Sequence, residues 1–193
     1  MMFEVLFLIT IFITGILGQT VDVQFYDEEG CDNVGASCNA LPADDCCGSP
    51  NFLWTSISTD NWQNVAAGTE VRAHSPQNGN ICAILLVTIE EGECLINEVP
   101  DTISAAAFFN GSHRKRRRGV AGATEKCDKV HPIDEYFYQP GDGFRYIVDA
   151  KNATHAAAFN AVTSSSERAQ YISANFDKKV VVKASKAVTK FTG

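Results

Sequence analysis

Between Gln19 and His113 the chain has almost no positive charge: fourteen acidic residues stand against one basic residue, Arg72. A region that acidic repels phosphate, so direct binding to nucleic acid or to an anionic membrane is not expected. Long apolar runs are also lacking. The most apolar stretch, Val5–Leu17, has thirteen residues without a charge. That is too short for a membrane span and right for the core of a signal peptide. Gly18 supplies a small residue before a cleavage at Gln19, although Glu4 replaces the usual leading base. A secretory signal over 1–18 is expected, with an uncleaved anchor or a buried strand as the alternatives. The mature chain should be secreted and should not insert stably into a membrane. Histidine is scarce, and none of His74, His113, His131 and His155 is spaced as a metal-binding pair. There is no Cys-x-x-Cys, no Gly-x-Ser-x-Gly and no phosphate-binding loop. The adjacent acids Asp44-Asp45, Glu90-Glu91 and Asp134-Glu135 read as solvated turns. A protein that is not an enzyme and carries no cofactor is expected.

Cysteine is abundant by contrast. Cys31, Cys38, Cys46, Cys47, Cys82, Cys94 and Cys127 all lie beyond the signal. In an oxidising compartment such residues are disulfide material. The first six precede a basic block and form an even set. Cys127 is the candidate for the odd one, unless it bridges the two halves.

The stretch from Val23 to Ser104 reads as one unit written twice, with a period of about 45 residues. Val23-Gln24-Phe25-Tyr26 leads through an acidic bend to Gly30-Cys31, then past Cys47 to Thr55-Ser56-Ile57-Ser58. The second copy runs from Val71-Arg72-Ala73-His74 past Cys82 and Cys94 to Asp101-Thr102-Ile103-Ser104. In this reading Cys31 aligns with Cys82, and Cys47 with Cys94. Val21, Val23 and Phe25 alternate with Asp22 and Gln24, the period of a half-buried strand. Ile81–Ile89 is continuously apolar and reads as a central strand. Trp54 and Trp62 are expected in or beside the core.

Phe25-Tyr26-Asp27-Glu28-Glu29-Gly30-Cys31, with Gly35 behind it, resembles the folded-hairpin signature of the βγ-crystallin superfamily. The two Ile-Ser steps resemble that family's entry into its fourth strand. Cys31 stands where the second aromatic belongs, and Ala73-His74 replaces the aromatic pair in the second copy. The resemblance covers about 85–90 residues, enough for one two-motif domain, and implies a Greek-key β-sandwich. Some other disulfide-rich β-sandwich is the alternative. The resemblance also brings a calcium motif, two Asn/Asp, two variable positions and Ser/Thr-Ser. Asn51, Thr55 and Ser56 match parts of it, but Phe52 occupies a ligand position; Asn97 and Asp101 match loosely in the second copy. Calcium needs six to eight oxygens, so these are weak candidates and no metal is expected.

Five basic residues follow, Arg114-Lys115-Arg116-Arg117-Arg118. In a secreted chain they fit the pattern read by kexin or furin-type proteases, whose acidic subsites need several cations at extended spacing. A solvated loop, a polyanion patch or a nuclear address are the other readings. Asn110 and Asn152 open glycosylation sequons. Beyond the block, Glu135–Tyr138 and Phe144–Val148 flank a Pro-Gly turn and predict a hairpin. Asn152–Val162 is helix-prone with Asn152 as N-cap, and Ser164…Glu167 forms a capping box for a second helix reaching Phe176. Val180–Val182 could add a strand, and Lys183–Gly193 is expected to fray.

The expected protein is mainly β. It has a signal peptide at 1–18, a disulfide-rich acidic β-sandwich at 19–109, a mobile basic linker at 110–130 and a small α+β region at 131–193. Its overall pattern is similar to small cysteine-rich secreted proteins of fungi. Function is expected to lie in binding an extracellular or host target, in an effector-like, toxin-like or antimicrobial role after release from a precursor. A structural cell-wall protein and a secreted hydrolase with an unrecognised site are the alternatives.

Overall fold

The computed structural model describes residues 18–100, 102–109, 129–182 and 188–191. The expected signal core, Asp101, Asn110, the basic block Arg114–Arg118 and Cys127 lie outside the described residues. The described chain is mainly β, in two sheets, with a small helical part near its C-terminus.

The first copy of the repeat supplies β1 (Thr20–Tyr26), β2 (Asn33–Pro42), β3 (Asp45–Gly48) and β4 (Ser56–Gln63). The second supplies β5 (Glu70–Gln77), β6 (Asn80–Ile89), β7 (Cys94–Asn97) and β8 (Ala105–Phe109). Each copy gives its third strand to the other's sheet. One sheet contains the order β2-β1-β4-β7, and the other contains β6-β5-β8-β3. Neither copy can therefore complete a sheet alone. This explains in physical terms why so short a unit is found doubled.

The register fixes how the copies correspond, and it corrects the alignment read from sequence. Tyr26 pairs with Ser56, and His74 pairs with Ala105. Trp54 and Ile103 face each other in a reciprocal bridge, each N–H donating to the other's carbonyl. Trp54-Thr55-Ser56 thus corresponds to Ile103-Ser104-Ala105. The Ile-Ser steps are displaced by three residues from the alignment by letters. The same register matches Cys94 with Cys46 rather than with Cys47. A Cys-Cys doublet leaves such a choice to geometry.

The disulfides follow this two-fold logic. Cys31–Cys94 and Cys46–Cys82 each join the bend side of one copy to the third strand of the other. Cys38–Cys47 ties β2 to β3 and so links the two sheets through the core. All six cysteines of the even set are thus paired among themselves. Hydroxyls tie down both bends. Ser56 Oγ donates to Glu28 O at 2.6 Å, and Ser104 Oγ donates to Ile81 O at 2.5 Å.

Lys129 and Val130, read as linker, begin β9 (Lys129–His131), which runs parallel to β3. The expected hairpin forms as β10 (Glu135–Gln139) and β11 (Phe144–Asp149). It does not stand apart: β10 pairs with β2. Helices α1 (Ala153–Ala161) and α2 (Ser165–Asn175) follow, capped by Asn152 and Ser164 as expected. β12 (Lys178–Val181) then joins β11. The tail expected to fray instead contributes β13 (Val188–Phe191), parallel to β7. The first sheet thereby grows to eight strands, β12-β11-β10-β2-β1-β4-β7-β13.

One core joins both halves of the chain. Phe25 stacks on Trp54, Phe52 packs between Trp54 and Phe159, and Phe159 stacks on Tyr136 at 3.9 Å. Trp62 packs at the margin, against Phe108. The Ile81–Ile89 strand is β6, at the end of its sheet rather than in the middle. Its apolar run has another cause. Ile81 and Cys82, at its start, are buried in a separate cluster with Cys46, Ala105 and Ala107, so this end of β6 is covered on both faces. Two covered faces at an edge leave the same sequence signature as a central strand.

Local strain offers a check on the β1–β2 register. Val21 pairs with Leu41 while Val23 pairs with Cys38, so the ladder carries a bulge at Asn39–Ala40. Ala40 sits there with φ 50°, and its N–H donates to Asp22 Oδ1 at 2.6 Å. A Cβ disfavours that conformation and glycine does not. Ala40→Gly is therefore expected to stabilise the protein by about 0.5–1 kcal/mol. A lowered urea midpoint would contradict the bulge.

Candidate binding groove

Alternation along β1 turns Val23 and Phe25 into the core and leaves Gln24 and Tyr26 on the outer face of the eight-stranded sheet. One row crosses that face through six strands: Ile147, Phe137, Gly35, Tyr26, Ser56 and Ile96. Gly35 decides its shape. A Cβ there would lie 2.1 Å from Phe25 O and 2.6 Å from the Phe137 ring. Its absence lets Phe137 sink toward β2 and meet Tyr26 edge to face at 5.3 Å.

Arg145 of β11 lies over this floor, 4.1 Å from the Phe137 ring centroid. Its Nε donates to Gln139 Oε1, and its Nη2 donates to Gln24 Oε1 at 2.9 Å. Gln24 Oε1 also accepts from the Tyr26 hydroxyl at 2.7 Å. Ser58, directly across from Gln24, approaches the same oxygen at 3.4 Å. One amide oxygen thus gathers side chains from β1, β4 and β11. Burial pushes the Tyr26 hydroxyl above the usual phenol range, although Arg145 and Ser58 oppose the shift. Tyr26 therefore stays protonated and can keep donating to Gln24.

Around this floor opens a groove of about 640 Å³. Trp62 forms part of one wall and Val180–Val182 part of another, while Asp60, Glu91 and Glu93 also line it beside the Cys31–Cys94 bridge. The volume lies in the range of small-ligand sites, and convergent polar groups over an apolar floor are the usual construction of such sites.

The residues singled out from sequence fall elsewhere. Asn51 is exposed, Thr55 is buried, and the Ser56 hydroxyl is engaged with Glu28 O. Phe52, at the would-be ligand position, is core. Asn97 is buried; its amide contacts Thr102 Oγ1, and its Oδ1 accepts from Val99 N–H. The Ser56 and Asn97 side chains thus have structural duties. Cys38, His131 and Asp134 come close enough together to suggest a metal trio. The Cys38 sulfur is bonded to Cys47, however, and has no thiolate to offer. Asp134 instead accepts from Asn39 N–H and pairs with Lys151 Nζ at 2.7 Å. His155 Nδ1 meets the Tyr171 hydroxyl at 2.7 Å.

Asn152 is exposed, and its Oδ1 accepts from Thr154 N–H at 3.0 Å. Its Nδ2 has no partner among the described residues, so a glycan on that nitrogen is compatible with the helix cap. Asn152→Gln is expected to remove one glycan from protein made in a glycosylating host. Intact mass before and after enzymatic deglycosylation reads this; an unchanged mass on substitution would refute it.

Comparison with known proteins points to one family. Residues 22–132 match the family described as ARB_05566_N, an N-terminal domain, and the chain belongs to that family. The match spans both copies of the repeat and β9, and stops just before the β10–β11 hairpin. No curated protein and no solved structure matches the chain.

Proposed function

We propose that this chain is a secreted, cysteine-rich binding protein that engages an extracellular target through the groove on its eight-stranded sheet. The observation that carries this reading is the preorganised groove floor: Gln24, Tyr26, Ser58 and Arg145 are held in one network before any ligand arrives. A fixed polar network over an apolar floor lowers the ordering cost of binding. The role is effector-like, toxin-like or antimicrobial. Three disulfides support residence in an oxidising compartment. Among the described residues no helix is long and apolar enough to cross a membrane, which is consistent with action from solution.

The scaffold is proposed to be a two-motif Greek-key domain of βγ-crystallin type. Three observations support it: the exchange of third strands between the copies, the two-fold related disulfides and the serine ties at both bends. Cleavage after Arg117 or Arg118 by a kexin or furin-type protease is part of the same proposal and rests on the sequence. Intact mass of the protein secreted from a kexin-competent host tests it, two fragments being the expected result. Binding is tested by titrating fluorescently labelled protein onto intact fungal, bacterial and plant cells. Saturable attachment to at least one is expected; purely linear uptake on all would refute the reading.

A further inference from the structure

We infer that the groove takes a neutral, hydroxyl-rich ligand, an oligosaccharide segment. The inference rests on the binding reading above and names its ligand class.

Gln24 Oε1 and Gln139 Oε1 are both occupied by Arg145, and Gln24 Oε1 by Tyr26 as well. Those bonds fix which way each amide points. The two Nε2 groups are left without a partner among the described residues and are available as donors. Among the described residues Arg145 engages Nε and Nη2, which leaves Nη1 as a third donor. The remainder of the lining supplies acceptors: the carboxylates of Asp60, Glu91 and Glu93. A site that offers donors in one part and acceptors in another suits groups that do both at once. A hydroxyl does, and a sugar ring presents several in fixed geometry.

The charge balance removes the nearest competitors. Three carboxylates against one guanidinium line the groove, so a sulfated or phosphorylated polymer is repelled. A cationic peptide would be drawn to those carboxylates, but on the floor it would meet the Arg145 guanidinium and two amide donors. The walls add the apolar contact that the C–H face of a sugar needs. Trp62 lines one edge of the groove while its ring packs against Phe108 and its indole N–H is buried. Val181 is 76% exposed, an unusual exposure for a valine on a strand. A volume of about 640 Å³ leaves room for a short oligosaccharide rather than a lone monosaccharide.

The test is calorimetric titration of the full chain with chitohexaose, cellohexaose, laminarihexaose and mannohexaose, with a heparin fragment as the anionic probe. At least one neutral hexamer is expected to bind, with a dissociation constant below about 1 mM. Gln139→Ala and the rim variant Asp60→Asn should each weaken it about tenfold or more, which corresponds to losing one good hydrogen bond. The bound sugar should also shift tryptophan fluorescence in wild-type protein, and Trp62→Phe should remove that shift. Thermal melts verify that each variant is folded, and the two polar variants act through separate parts of the groove. Silence with all four neutral hexamers, tighter binding of heparin, or full affinity in both polar variants would overturn the inference. Saturable attachment to cells that no hexamer competes with would overturn the ligand class and leave the binding reading intact. Loss of saturable attachment altogether would remove both.

Discussion

Asp27→Ala is expected to destabilise the protein by about 3–5 kcal/mol, the usual consequence of leaving one buried charge without its partner. Asp27 lies in the bend after β1, and its carboxylate meets Arg168 Nη1 of α2 at 2.7 Å, with both side chains almost entirely buried. Ser165 Oγ donates to the same carboxylate oxygen at 3.0 Å. Arg168 is packed over the rings of Phe52 and Phe159 and also donates to Val162 O. Removing Asp27 leaves the guanidinium in that apolar setting with, among the described residues, the Val162 carbonyl as its hydrogen-bond acceptor. Arg168→Met in the same background should recover much of the loss, since methionine fills the space without needing a counter-charge. Urea unfolding of the two single variants and the double variant gives the coupling directly. Additive losses with no recovery would show that the pair is not the link between α2 and the bend. The pair joins residues 141 apart in sequence. It is one of the contacts that fasten the C-terminal helices to the duplicated domain.

Removing the Cys31–Cys94 bridge is the second large effect. Paired substitution by alanine is expected to cost about 4 kcal/mol, from the freedom regained by the unfolded chain once a 63-residue loop is opened. The same reasoning gives about 2.5 kcal/mol for Cys38–Cys47, which closes only nine residues. The ranking is the informative part, because both bridges are buried and both replacements remove similar atoms. Thermal melts under non-reducing conditions check it. A larger loss from Cys38–Cys47 would mean that its place between the sheets outweighs loop entropy. The Cys31–Cys94 bridge also borders the groove, so its loss should weaken ligand binding as well as stability.

Much of the local structure could be read directly from the residues. Alternation gave β1 its inward Val21, Val23 and Phe25, and all three are fully buried. Asn152, Ser164 and the Pro140-Gly141 turn marked the cap and turn positions that the chain adopts. Signals of this kind act over four to ten residues, the range in which backbone sterics and capping bonds operate. Matching letters between the two copies was less successful. By letter, the Ile-Ser steps align three residues away from the positions that the ladders place in correspondence. The edge position of β6 was hidden for a different reason: the separate cluster that covers its start comes from residues far along the chain.

The groove shows most plainly where such reading stops. Gln24 and Ser58 are visible as outward positions on strands, but each is an unremarkable polar residue there. Arg145 is one base among many in the C-terminal region. What unites them is the β10–β2 ladder, which joins the hairpin to the first sheet and brings Arg145 within reach of a glutamine 121 residues away.

The order of residues alone specifies an acidic, β-rich, cysteine-rich unit written twice, with a capped helical segment behind it. Composition, period and capping chemistry are local or additive, and they survive in one dimension. Folding settles which cysteines pair, that each copy lends a strand to the other, and that the C-terminal hairpin extends the first sheet to floor a groove. Those outcomes depend on register between distant strands and on the space left by one missing side chain at Gly35. Neither is recorded in the order of residues until the chain has closed on itself.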